Sequence, residues 1–109
     1  MKHSTLIVAR MNPESADDVA TLFSDFDTTD LPGRMGTRRR QLFRFHGLYF
    51  HLQDFDSEDG GERIEAAKGE SSFVQISRDL KPFIEAYDPP TWRSPADAMA
   101  ERFYHWQAS

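Results

Sequence analysis

The stretch Thr37-Arg38-Arg39-Arg40-Gln41-Leu42-Phe43-Arg44-Phe45-His46-Gly47-Leu48-Tyr49-Phe50-His51-Leu52-Gln53-Asp54-Phe55 reads as two β-strands joined by a tight turn. Phe43 and Phe45, then Leu48, Phe50 and Leu52, recur at every second position. His46-Gly47 supplies the turn, because glycine takes positive φ freely and histidine is among the more tolerant other residues. A two-residue turn pairs Phe45 with Leu48, Phe43 with Phe50, Gln41 with Leu52 and Arg39 with Asp54, on a face that is largely apolar. The opposite face then carries Arg44 with Tyr49, Leu42 with His51 and Arg40 with Gln53. On it Arg40 and His51 are diagonal neighbours, their Cα atoms roughly 7–8 Å apart, within reach of one small ligand group. A three-residue turn would instead set Phe43 opposite His51 and bring Arg39 onto the histidine's face. The two-residue turn separates apolar from polar residues more cleanly and is the preferred register.

Working outward, residues 4–11 are β-rich and form a first strand. Asn12 then Pro13 opens a helix, with a capping side chain followed by a residue suited to the first helical position. Val19, Leu22, Phe23 and Phe26 recur at helical spacing, and the helix should end near Asp27, before a loop over 28–33. Beyond the hairpin, an acidic loop over 56–61 precedes a helix over 62–68, stopped by Gly69. Another helix runs from about 71 towards 84 despite Pro82, Asp88-Pro89-Pro90 opens an irregular segment, and residues 100–108 read as a last strand. The order is the βαββαβ plan of ferredoxin-like α+β domains, one domain over residues 1–109 with an antiparallel sheet and helices on one face. The other face must be solvated or covered, and back-to-back pairing with a second copy into a dimeric α/β barrel is the expected solution.

Bulk properties narrow the function. A formal net charge of −5 argues against nucleic acid as a partner. Arg38, Arg39 and Arg44 are read as surface, edge or interface charges. There is no cysteine, which excludes disulfides, thiolate metal sites and a thiol nucleophile. No apolar run is long enough to cross a membrane, and the short apolar stretch after Lys2 reads as a strand, not a signal peptide. A soluble cytoplasmic protein is expected. Aromatic residues make up 13% of the chain, and their flat apolar surface suits a core, an interface or a pocket for a flat ligand.

The segment Asp27-Thr28-Thr29-Asp30-Leu31-Pro32, the run from Gly36 to Leu52, the opening Val8-Ala9-Arg10-Met11-Asn12-Pro13 and the closing Phe103-Tyr104-His105-Trp106 together resemble the tetracenomycin-type aromatic polyketide cyclase family. The Arg-Arg-Arg to His-Gly-Leu-Tyr-Phe-His block is the specific part. The resemblance implies a ferredoxin-like fold, a homodimer, and no metal or organic cofactor. It implies intramolecular aldol condensation and dehydration of a poly-β-ketone, a substrate either free or tethered to an acyl carrier protein. It also implies a histidine, an arginine and an aspartate at the pocket, which match His51, Arg40 and Asp27. The family can carry a histidine just before that aspartate; here the residue is Phe26, which puts a second catalytic histidine in doubt.

Chemistry gives these residues tasks. A carbon between two carbonyls is already fairly acidic, so a neutral imidazole at His51 near its ordinary pKa is a sufficient base. Arg40, a permanent cation with forked donors, suits an enolate or diketone. Asp27 would orient the imidazole or bind substrate hydroxyls. Tyr49 would donate to a carbonyl, and Phe26, Phe43, Phe50, Phe103 and Trp106 would line a flat apolar cavity, although most of these aromatics also suit an ordinary core. His3, His46 and His105 lack the spacing of a metal site. Two other functions use the same features: a cofactor-independent monooxygenase on the same dimeric barrel, and a non-catalytic polyketide-binding chaperone.

Overall fold

Alternation in the strands lays down the architecture. The computed structural model describes residues 3–93 and 95–108. Strands β1 (His3–Met11), β2 (Thr37–Phe45), β3 (Leu48–Phe55) and β4 (Ile84–Ala86) form one sheet in the order β2-β3-β1-β4. Every pairing is antiparallel. Helices α1 (Ala16–Phe26), α2 (Leu31–Arg34), α3 (Gly60–Ala67) and α4 (Ser71–Leu80) complete a ferredoxin-like α+β fold. No helix among the described residues is long and apolar enough to cross a membrane.

The hairpin has the two-residue register: Phe45 pairs with Leu48, Phe43 with Phe50, Leu42 with His51, Arg40 with Gln53 and Arg39 with Asp54, with an irregularity between Thr37 and Arg39. The positive φ of the turn, 54°, falls on His46. One sheet face carries Ala9 and Met11 of β1 with Tyr49 and Phe55 of β3, and these share a core with Val19, Phe23 and Phe26 of α1, Ile64 of α3 and Ile76 of α4. The other face carries Leu6, Val8, Phe43, Phe45, Leu48, Phe50 and Leu52, none of them fully buried.

At α1, Asn12 Oδ1 accepts from the backbone N–H of Glu14, a single 3₁₀ turn follows at Pro13–Ser15, and Asp27 caps the far end. The segment read as a loop before the hairpin contains the short helix α2, whose Leu31 is fully buried. Gly36 then turns into β2 at φ +82°, and a β-carbon there would lie 2.6 Å from Asp56 Oδ1 and 2.8 Å from Arg63 Nη1.

The last strand differs from expectation. Helix α4 stops at Leu80. Pro82 lacks an N–H and its ring clashes with the preceding turn, so the helix cannot reach residue 84. Ile84–Ala86, expected at the helix end, is instead β4, paired along Ala9 to Met11. Residues 100–108, expected as the last strand, are not a strand. Met99 makes an isolated bridge with Ile7, the Ala100 N–H donates to Leu6 O, and the chain then leaves the sheet. Phe103 is 94% exposed and Trp106 72%.

Candidate active site

Between the helix layer and the sheet lies a solvent-open cavity of about 710 Å³, within the range of small-molecule sites. Ile7, Ala9, Tyr49, His51 and Gln53 line it from the sheet, Phe23 and Phe26 from α1. Tyr49, His51 and Gln53 are brought together by the strand's period of two, and Arg40 joins them from the neighbouring strand through the hairpin register.

Arg40 is the hub. Its side chain is only 8% exposed. Nε donates to both carboxylate oxygens of Asp27 at 3.1 and 3.0 Å, and Nη2 donates to Oδ1 at 2.9 Å. On the other side, Nη1 lies 2.8 Å from His51 Nε2 and donates to Gln53 Oε1 at 3.3 Å. Gln53 Nε2 in turn donates to Thr37 Oγ1 at 2.7 Å. The guanidinium carbon stands 5.0 Å from the ring centre of Phe23 and 5.5 Å from that of Phe26, within cation–π range. These rings sit three residues apart on α1, and Asp27 is the next residue, so one helix end supplies both the apolar seat and the counter-charge.

This environment fixes the histidine. Burial, and secondarily the Arg40 charge, push the His51 imidazole down to about 3. A guanidinium can only donate, so Nε2 of the neutral ring is the acceptor and the proton resides on Nδ1. The ring packs edge-on against Phe23, centroids 5.0 Å apart. Tyr49 is nearly fully buried, and loss of hydration raises its phenol above the usual range, keeping it a neutral donor.

His51, Arg40, Tyr49 and Phe26 therefore meet in one cavity wall. Asp27 does not line the cavity; it lies behind Arg40 and touches the guanidinium, not the imidazole. Phe43, Phe50 and Trp106 are placed elsewhere. Register puts Phe43 and Phe50 on the opposite sheet face, with Phe43 50% exposed, and Trp106 and Phe103 are on the exposed C-terminal segment. Gln53, Thr37 and Phe23 were given no site role from the sequence. Gln53 was on the correct face by alternation, and its side-chain role follows from its proximity to Arg40. Among the described residues no group of three or more His, Asp or Glu is positioned to hold a metal ion.

Comparison with known proteins shows the family of the chain. The profile of the polyketide synthesis cyclases matches residues 3–107. An uncharacterized protein of Streptomyces coelicolor is 48% identical over 106 residues, 96% of this chain and 95% of that one. The polyketide synthase CurG of Streptomyces cyaneus is 42% identical, over 96% of this chain and 97% of its own. Tetracenomycin F2 cyclase of Streptomyces glaucescens is 40% identical over 99% of this chain and 97% of its own. The solved structure of that type II polyketide cyclase superposes with a TM-score of 0.91, covering 98% of this chain and 99% of its own. With its fold, its full-length similarity and its hairpin block all in agreement, this chain belongs to the polyketide synthesis cyclase family.

Proposed function

We propose that the protein is an aromatic polyketide cyclase that closes a ring of a poly-β-ketone by intramolecular aldol condensation and dehydration, without a cofactor. The observation that carries this reading is a buried cation, Arg40, bonded to a neutral imidazole in the wall of an otherwise apolar cavity. Relatives named as a polyketide synthase and as tetracenomycin F2 cyclase support the substrate class.

The chemistry follows from the hydrogen bonds. As a 1,3-dicarbonyl segment enters, the Arg40 N–H held by His51 Nε2 turns to a carbonyl oxygen. The imidazole lone pair is released and its basicity rises. The proton on the carbon between the carbonyls moves to Nε2, and its electron pair moves onto the oxygen facing Arg40. A cation in a low-dielectric wall stabilises that enolate more than water would. The enolate carbon bonds to a distant carbonyl carbon, and the alkoxide formed there takes the proton back from Nε2. Dehydration then removes that hydroxyl with a second α-hydrogen as water. Asp27 and Gln53 hold the guanidinium in place. Tyr49, kept protonated, donates to a further carbonyl, and Phe23 and Phe26 give a flat wall for the growing ring.

Homodimerisation is part of the same proposal. On the sheet face away from the helices Phe43 is exposed and Leu6, Val8, Phe50 and Leu52 are only partly covered, and Phe103, Tyr104 and Trp106 of the C-terminal segment are exposed. A second sheet seated on that face accounts for both.

The test is a minimal polyketide synthase reaction with and without purified protein. Addition is expected to redirect the aromatic products, in air and equally under anaerobic conditions. Arg40→Ala and His51→Ala are expected to lose that redirection while ligand binding persists. A product pattern preserved in both variants would leave only a templating role.

A further inference from the structure

The mouth of the cavity carries a charge pattern that the ring-closing chemistry does not use. Exposed lining residues include Lys68 at the end of α3, Arg78 and Lys81 at the end of α4, and Arg93 from the segment after Pro90, with Glu85 the one carboxylate among the described lining residues. The chain as a whole is acidic, net −5. Six of its other cations are matched: Arg34, Arg38, Arg39, Arg40, Arg63 and Lys68 each hold a carboxylate, Arg40 and Lys68 within the lining of the same cavity. Arg78 and Lys81 make no ion pair among the described residues; the Arg93 guanidinium donates to the carbonyls of Pro90 and Trp92, while its backbone N–H donates to Asp97 Oδ2 at 2.7 Å. A helix C-terminus favours cations on its own account, which covers Arg78 and Lys81. It does not cover Arg93, which reaches the same rim from a different part of the chain.

We infer that Arg78, Lys81 and Arg93 form an anion subsite at the cavity mouth, so that the cavity takes an amphipathic anion with its flat apolar body inward and a carboxylate or phosphate at the rim. This rests on the cavity being the polyketide site, and it adds a requirement on the substrate. The anion is either an acid group on the polyketide itself or the phosphate of a phosphopantetheine arm.

Calorimetry on the full chain at low salt tests it, with 3-hydroxy-2-naphthoate, its neutral methyl ester and 4′-phosphopantetheine as probes. The acid is expected to bind roughly tenfold tighter than the ester, from a few partly exposed charge contacts acting together. In the double variant Arg78→Gln/Lys81→Gln the acid's advantage is expected to shrink to roughly threefold or less as those contacts are removed, with ester affinity unchanged. In Arg78→Lys/Lys81→Arg it should persist. The unchanged ester affinity shows that the cavity remains folded. Displacement of naphthoate by 4′-phosphopantetheine in the parent, lost in the Gln variant, assigns the subsite to a phosphate; no displacement assigns it to a carboxylate on the ligand. Equal binding of acid and ester by the parent, or an acid advantage untouched in the Gln variant, overturns the subsite and leaves the cavity reading intact. Binding of neither aromatic probe overturns both.

Discussion

The two faces of β3 lie a few ångströms apart and have opposite characters. Towards the helices stand Tyr49, His51 and Gln53, all buried; away from them stand Leu48, Phe50 and Leu52, all only partly covered. Ordinary sheets place polar residues outward and apolar ones under the helices. Here polar groups are buried and a patch of apolar ones is left bare. Burying an imidazole and an amide is costly unless their hydrogen bonds are met. Arg40 meets that need at His51 Nε2 and at Gln53 Oε1, and Thr37 meets it at Gln53 Nε2. The covered face is the one on which we propose that the chemistry takes place, and the other the one on which we propose that a second copy seats.

The contrast breaks most severely at Arg40. Arg40→Ala removes the enolate's counter-charge and is expected to lower kcat roughly a hundred- to a thousandfold, the cost typical of losing one transition-state donor. Single-turnover product formation checks it. Arg40→Lys keeps charge without the fork and should rescue only part of the loss. On the bare face, Phe50→Asp puts a charge where a second sheet is expected to sit. It should weaken self-association by about a hundredfold, since an unpaired charge is costly to bury. Sedimentation of parent and variant checks this, and a parent that sediments as a monomer contradicts the pairing.

His51 sharpens the comparison through pH. In the unfolded chain its pKa is near the ordinary ~6.5; folding lowers it to about 3. Below ~6.5 the unfolded state binds a proton that the folded state refuses, so stability should fall with acidity, by up to about 1.4 kcal/mol per pH unit. The fall continues until the folded ring itself protonates. Urea unfolding between pH 7 and 4 should show this slope in the parent and a shallower one in His51→Phe. The smallest effect is expected at Gln53→Leu, which removes an acceptor from Arg40 and loosens it. About a tenfold drop in kcat at constant KM is expected, as for a positioning contact worth about 1.4 kcal/mol. Gln53→Glu, which keeps an acceptor, should recover most of it.

The register of the hairpin was legible because a side-chain period of two and a short turn leave few alternatives, and it put Arg40 and His51 on one face. Hydrophobicity then misled. It sent Phe43 and Phe50 to the cavity, although the same register set them opposite His51. Period two says which residues share a face, not which face the helices cover. The Asp27–Arg40 contact joins a helix end to a strand and depends on helix packing, which no local pattern encodes. The tail around Phe103 and Trp106 has strand-like composition, but β4 and Met99 already occupy the exposed edge of β1. Its Phe103, Tyr104 and Trp106 are left exposed.

The state of His51 bears most directly on this account. Nitrogen-15 NMR of the imidazole across about pH 5 to 8, the range in which an ordinary histidine titrates, should find the ring neutral throughout, with the proton on Nδ1 and Nε2 shifted as a hydrogen-bond acceptor. A ring that titrates near its ordinary pKa, or carries its proton on Nε2, would show that Arg40 does not hold it and that the cavity wall is organised otherwise.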